Sequence, residues 1–335
     1  MKAVITSTSA LYYWRTHSRL LSAAPASPER SPSRRRNMHI EAPSARLVSE
    51  LRAWGLVDPA SETNLLVSSR GARRSLKNAR ASLCLGPFPA NSFELVFDDV
   101  WVASPELMFL LLARELTLVE LVEIGCELCG TYRLTEDGSA FGLAPLTSVQ
   151  KLRAYAARAS GMHGRKKALR ALQWVVDDAA SPAETALAIA LGMPYRHGGF
   201  GLGGFVLNRE LALDRCASHM FGRDTIRPDF FWTGSRHPLE YDSSTYHSSR
   251  EQAELDERRR NAYAAMGMCV TVVRPRHLRN TGLLDEVARS VRSNSGRKWG
   301  RLPADFEYRK DALHEHLFRF WRSAQCPVDS QMPAP

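Results

Sequence analysis

The chain has 335 residues, 44% hydrophobic and 24% charged, which is enough apolar material for two globular domains. Lys and Arg number 45 against 35 Asp and Glu, and the formal charge of +10 favours a polyanionic partner such as nucleic acid. No apolar run is long enough to span a bilayer, and six dispersed cysteines argue against a disulfide scaffold. We therefore expect a cytoplasmic protein with no membrane partner.

Residues 1–45 are expected to form a disordered basic tail. The stretch "APASPERSPSRRR" is rich in Pro, Ser and Arg and buries too little apolar surface to offset its ordering entropy. Its Arg34-Arg35-Arg36 run is typical of a solvated tail, and contact with nucleic acid is the alternative. Met38 follows directly, which raises the hypothesis that translation starts there and not at Met1.

Residues 46–175 are predicted to form a smaller mixed α/β region. "FELVFDDVWVAS" alternates apolar and polar residues as paired strands do, and Ser104 followed by Pro105 is a helix start signal. "TSVQKLRAYAARASG" and "GRKKALRALQWVVDDA" carry apolar residues at helical spacing with basic residues on the other faces. These faces fit phosphate contacts and ordinary solvated helix surfaces equally well.

A second unit is expected to begin at residue 181. In "SPAETALAIALGM", the spacing of Ser181 and Glu184 matches a capping box, so Glu184 is a helix cap on the simplest interpretation. The following "RHGGFGLGGFVLN" formally contains G-x-G-x-x-G. That motif binds dinucleotides when it follows a strand and opens a helix, whereas here it follows a helix and precedes a strand. We interpret the glycines as a turn and expect no nucleotide cofactor.

Three carboxylates lie along a predicted hairpin formed by "RPDFFW" and "HPLEYD". Side chains alternate across a strand, so Glu240 and Asp242 point to one face, and Asp229 on the neighbouring strand can face the same way. Like charges repel at close range unless a divalent cation lies between them, and oxygen ligands suit Mg²⁺ or Mn²⁺. The cluster predicts a metal site at one edge of the sheet.

Each of these residues also has a simpler interpretation. Asp229 after a proline can end a turn, Glu240 can pair with Arg227 or Arg236, and His247 can be a loop histidine. Past the hairpin, "SSREQAELDERRRNAYAAMG" predicts a helix with Asp256, Arg259 and Tyr263 on one side, where packing and an ion pair between the first two are expected. The strand "MCVTVVRP" and a closing helix complete the unit. A hairpin followed by a helical crossover implies a mixed sheet flanked by helices.

This order of elements and acids resembles the PD-(D/E)xK restriction-endonuclease-like superfamily over about residues 181–290. The closer resemblance is to the branch of very-short-patch-repair endonucleases and their uncharacterised relatives. The matching positions are Asp229, Glu240-Tyr241-Asp242, His247, Asp256, Arg259 and "MGMCVTVV". Glu184 stands where the superfamily often has an acidic residue on a helix.

The resemblance implies metal-dependent hydrolysis of phosphodiester bonds in DNA, in repair or phage defence. It implies Mg²⁺ or Mn²⁺ held by Asp229, Glu240, Asp242 and Glu184, with Asp242 or His247 as the base. It also implies contacts of Arg227 and Arg259 with DNA. The sequence departs from the pattern at the usual lysine, which is Asp242 here.

Two other function classes stay open. The stretch "VASPELMFLLLARELTLVELVEIGCELCG" is similar, less specifically, to the middle part of AbiEi-type antitoxins and abortive-infection regulators. The alternative function is therefore a DNA-binding regulator or antitoxin with an inactive nuclease fold and a protein partner from the same operon. A protein-interaction module with ion-paired acids is the third. Residues 291–335 are interpreted as a basic C-terminal extension that docks on DNA or packs as an amphipathic helix.

Overall fold

The structure is a computed structural model, and it describes residues 1–23, 40–74, 76–243 and 250–322. The chain divides into an N-terminal unit, Met1–Val175, and a C-terminal unit, Val176–Pro335. Both units are mixed α/β, with sheets flanked by helices. Within the part of the chain that is described, no helix combines the length and the apolar character needed to cross a membrane.

The N-terminal unit is built on a five-stranded sheet with the order β3-β2-β1-β5-β4, and a two-stranded ribbon accompanies it. The strands of the unit are β1 Ala3–Ile5, β2 Thr63–Val67, β3 Ala79–Leu83, β4 Phe93–Phe97, β5 Val100–Ala103, β6 Arg133–Thr135 and β7 Gly138–Ala140. Its helices are α1 Ser7–Ala23, α2 Ala45–Ala53, α3 Pro105–Leu112, α4 Leu118–Cys129, α5 Val149–Arg158 and α6 Arg165–Ala171.

The prediction that residues 1–45 form a disordered tail is wrong at its start. Strand β1 is the central strand of the sheet, parallel to β5 and antiparallel to β2, and all three of its residues are buried. Helix α1 follows it and places Trp14 in the core. The basic run at 34–36 and Met38 lie outside the described residues. Three apolar residues give too short a pattern to predict a strand. The strand is stabilised by partners about 60 and 100 residues away, which no local pattern reveals.

Local signals in the N-terminal unit are confirmed more often. The predicted hairpin is β4 with β5, and Ser104 caps α3 with Pro105 in its first turn. The long apolar stretch that follows is two helices and not one, because Thr117 forms a capping box with Glu120 and starts α4 anew.

The C-terminal unit contains a four-stranded mixed sheet with the order β13-β12-β11-β8, and β9 with β10 forms a separate ribbon. Its strands are β8 Val206–Leu207, β9 Leu211–Ala212, β10 Thr225–Ile226, β11 Phe230–Trp232, β12 His237–Tyr241 and β13 Thr271–Val273. Its helices are α7 Pro182–Gly192, α8 Arg215–Phe221, α9 Arg250–Ala265, α10 Pro275–Arg279, α11 Thr281–Asn294, α12 Phe306–Leu317 and α13 Arg319–Arg322, with a 3₁₀ turn at Tyr195–His197.

Strands β11 and β12 form the predicted antiparallel hairpin, and α9 is the predicted crossover to β13, which runs parallel to β12. The faces of β11 differ as strand alternation requires. Phe230 and Trp232 pack with Phe205 on one face, whereas Phe231 joins a cluster with Tyr263 of α9 on the other. The hairpin is thereby held between two apolar layers.

Two predictions for this unit need correction. Helix α8, a short helix capped by Asp214, and the ribbon around it were not predicted from the sequence. The proposed boundary at residue 291 is also wrong, because α11 runs through it to Asn294. Helix α12 buries Phe306, Leu313 and Leu317, so the segment around it belongs to the unit and is not an extension.

Candidate functional site

Glu184 lies in the first turn of α7, where it is both a helix cap and a buried acid that is 3% exposed. Its two carboxylate oxygens accept hydrogen bonds from the backbone N–H of Ala180 at 2.9 Å and the hydroxyl of Ser181 at 3.0 Å. The amide of Asn208 donates a third hydrogen bond to the same carboxylate. Glu184 is therefore held in one position from three sides.

Asp229 comes directly before β11 and is partly buried. Its Oδ2 accepts a hydrogen bond from the backbone N–H of Tyr241 at 2.5 Å, which ties it to the neighbouring strand. By alternation along β11, Asp229 shares the face of Phe231, which is the face covered by α9.

Glu240 lies on β12 with a side chain that is 15% exposed, and α9 supplies its partners. The Arg259 Nη2 atom lies 2.9 Å from one carboxylate oxygen of Glu240 and 3.1 Å from the other. The Tyr263 hydroxyl donates a hydrogen bond to Oε1 at 2.5 Å. The predicted packing face of α9 therefore also serves the acid cluster.

The charge of Asp229 acts on both Glu184 and Glu240. Burial raises the pKa of Glu184 to about 8 and that of Glu240 to about 8, and in both cases the charge of Asp229 is the next cause. Burial also raises the pKa of Asp229 to about 6, while the Tyr241 N–H and the charges of Arg259 and Arg227 oppose the shift. The fold therefore brings Asp229 near both glutamates, and buried acids close to one another are frequent in functional sites.

The remaining predicted site residues lie differently. Asp242 follows β12 and pairs with Arg274 at 3.3 Å, at a place where its side chain is 25% exposed. Arg227 is exposed, and its backbone carbonyl accepts a hydrogen bond from Arg259. His247 lies outside the described residues.

The carboxylates of the cluster are ligands of the type that divalent cations prefer. Among the described residues, no three His, Cys, Asp or Glu side chains are arranged to hold a metal ion together. Mg²⁺ is nonetheless commonly bound by one or two carboxylates, with water and substrate phosphates completing its coordination. Asp229 and Glu240 are the candidate pair because they lie opposite each other, but a metal ion would have to displace the contacts of Arg259 and Tyr263 with Glu240. Glu184 is held by three hydrogen-bond donors of its own.

Sequence reasoning missed Asn208 and Tyr263 as members of the site. Asn208 has a positive φ of 50° and also donates to the carbonyl of Asp178 at 2.9 Å, which fixes its amide against Glu184. Asn is one of the few residues that adopts this conformation readily, and that was the available signal. Tyr263 gave none, because a tyrosine on a helix face is usually packing.

The chain was compared with protein-family models, with curated proteins and with solved structures, and none of the three comparisons gave a match.

Proposed function

We propose that the C-terminal unit is a restriction-endonuclease-like domain that hydrolyses phosphodiester bonds in DNA with a bound divalent cation. One observation carries the proposal. Asp229 and Glu240 adjoin each other on neighbouring chain segments, and the charge of Asp229 raises the pKa of Glu240 and that of Glu184 on the adjoining helix. Protons or cations must balance the negative charge of such a cluster.

The donors present suit Mg²⁺ or Mn²⁺, and Asp229 and Glu240 are the residues that would hold the ion. When bound, such an ion lowers the pKa of a coordinated water and stabilises charge on the scissile phosphate. Asn208 links Glu184 to Asp229, since its amide donates to the Glu184 carboxylate and its backbone N–H donates to the carbonyl of Asp229 at 3.0 Å. Asp242 accepts the proton from the attacking water, and the exposed Arg227 contacts the phosphate backbone.

The test is a plasmid-nicking assay on the full chain with Mg²⁺ or Mn²⁺, against an EDTA control. We expect nicking in metal and a rise in the melting temperature with metal concentration. Glu240→Gln should lower nicking by at least about 100-fold and remove most of the metal-dependent rise, since a ligand is lost. Glu210→Gln, which changes an exposed acid of the same unit, should alter neither result.

A second candidate is an AbiEi-like DNA-binding regulator or antitoxin that retains the nuclease fold without hydrolysis, with a protein partner from the same operon. The Arg259 ion pair favours it, because this guanidinium contacts both carboxylate oxygens of Glu240 that a metal ion would need. Asp242 in place of the superfamily's lysine points the same way. DNA binding without any metal effect on melting or nicking would support this function and contradict the first.

A further inference from the structure

A basic, solvent-exposed segment follows α11 and carries a tryptophan. Every residue from 296 to 302 is exposed, and three of them, Arg297, Lys298 and Arg301, are cationic. Trp299 in their midst is 49% exposed, which is unusual for the largest apolar side chain. This segment, residues 296–302, is called the GRKWGRL segment below.

The indole of Trp299 is held in place by a buried arginine. The guanidinium carbon of Arg292 lies 4.2 Å from the centroid of the Trp299 ring. Arg292 is itself only 4% exposed and donates hydrogen bonds to the carbonyl of Lys298 at 2.9 Å and to that of Phe200 at 2.6 Å. A guanidinium stacked on an indole and anchored on two carbonyls fixes the orientation of the ring.

The contacts that hold the GRKWGRL segment connect it to buried residues of the C-terminal unit. Phe200 is buried, and its backbone N–H donates to the carbonyl of Ala190 in the last turn of α7 at 2.9 Å. Gly300 is close-packed as well, since an added Cβ would lie 3.2 Å from the Tyr195 ring. The segment is therefore exposed on one side and attached to the fold on the other.

We infer that the GRKWGRL segment binds single-stranded DNA, with an unpaired base stacked on Trp299 and the backbone phosphates on Arg297, Lys298 and Arg301. Base stacking on an aromatic ring together with a cationic path for the backbone is how proteins bind single strands without reading sequence. Because the ring is already oriented, little side-chain entropy is lost on binding. The inference names a feature of the DNA partner of the proposed function, but it requires no hydrolysis.

The side chains of the segment provide no acceptor for a ribose 2′-hydroxyl. Arg, Lys and Trp can donate a hydrogen bond to that group but cannot accept one from it, so they read at most one of its two hydrogen-bonding roles. A duplex is also a poorer partner, because its bases are stacked on one another and present no free face.

The test measures fluorescence anisotropy of a labelled 12-nucleotide oligo(dT) with the full chain in EDTA. Glu240→Gln serves as the background so that cleavage and metal binding do not enter. We expect Trp299→Ala to weaken binding by about tenfold and Trp299→Phe to retain most of it. Tyr308→Ala, at an aromatic residue that is 77% exposed on α12, is the matched control and should bind as tightly as the parent.

Salt and competitor arms complete the test. Arg301→Gln should lower the slope of log affinity against log salt by about 0.7, as expected for the loss of one phosphate contact on a single strand. Equal affinity of Trp299→Ala and its parent would overturn the inference, as would a loss of the same size in Tyr308→Ala. Tighter binding to duplex or to an RNA of the same length would also overturn it. Because no arm involves cleavage, a failed nicking assay leaves these results interpretable.

Discussion

The two units differ in how the charges of their buried carboxyl groups are balanced. In the N-terminal unit Glu127 is 2% exposed, and Arg15 pairs with both of its oxygens at 2.9 Å and 2.6 Å. In the C-terminal unit the charge of Asp229 raises the pKa values of both Glu184 and Glu240, and Arg259 forms a close ion pair with Glu240. The first arrangement balances the buried carboxylate with Arg15 in contact and the buried Arg133 nearby, and it needs no function to explain it. The second crowds three carboxyl groups together, so that ionising all of them costs stability, and such an arrangement is typical of a binding site.

Removing the cation of the balanced pair should have the largest effect on stability. Arg15→Met leaves the Glu127 carboxylate buried without its ion-pair partner, and we expect the free energy of unfolding to fall by about 3 kcal/mol. Urea denaturation of the full chain measures it. Arg46→Met removes a cation from the exposed pair of Arg46 with Glu50 on α2 and should have no measurable effect. Equal losses in the two variants would contradict the comparison.

Removing a charge from the crowded cluster should act in the opposite direction and depend on pH. An acid whose pKa is raised by folding contributes stability below its unfolded pKa, and this contribution is lost as pH rises through the folded value. That value is about 6 for Asp229 and about 8 for Glu240. Glu240→Gln should thus match the parent near pH 5 and exceed its stability by roughly 1 to 2 kcal/mol near pH 8.5.

Metal should cancel this difference, since Mn²⁺ balances the charge in the parent and loses a ligand in Glu240→Gln. The measurement is urea denaturation across pH 5 to 8.5 with EDTA and with Mn²⁺. A Glu240→Gln variant that is less stable than the parent at every pH would mean that the acid is a structural partner of Arg259 and that the two units do not differ.

The same contrast explains which parts of the molecule could be predicted from the sequence. The hairpin of β11 and β12 and the cap at Ser181 were predicted because their signals lie within a few residues of one another. Strand β1 was not, since its partners are distant in sequence and the basic stretch after it dominated the local composition.

Part of the candidate site could be predicted from the sequence, and part of it could not. The period-two spacing of Glu240 and Asp242 indicates a shared face, but the strand ends at Tyr241 and Asp242 turns to Arg274 instead. The roles of Arg259 and Tyr263 depend on how α9 crosses the sheet. A helical pattern gives the face of a helix but not the side chain that the face will meet.

Substituting Asp242 should have the smallest effect on stability. It is also the most direct test of the proposed base. Its ion pair with Arg274 is exposed, with side chains 25% and 52% exposed, so Asp242→Asn should change the free energy of unfolding by no more than about 0.5 kcal/mol. The proposed function makes Asp242 the base, and on that proposal nicking in Mn²⁺ should fall by about 100-fold in Asp242→Asn. Asp305→Asn, which breaks the exposed pair with Arg309 on α12, should leave nicking unchanged. Nicking by Asp242→Asn at the rate of the parent would mean that Asp242 is not the base. The proposed reaction would then have no base among the described acids.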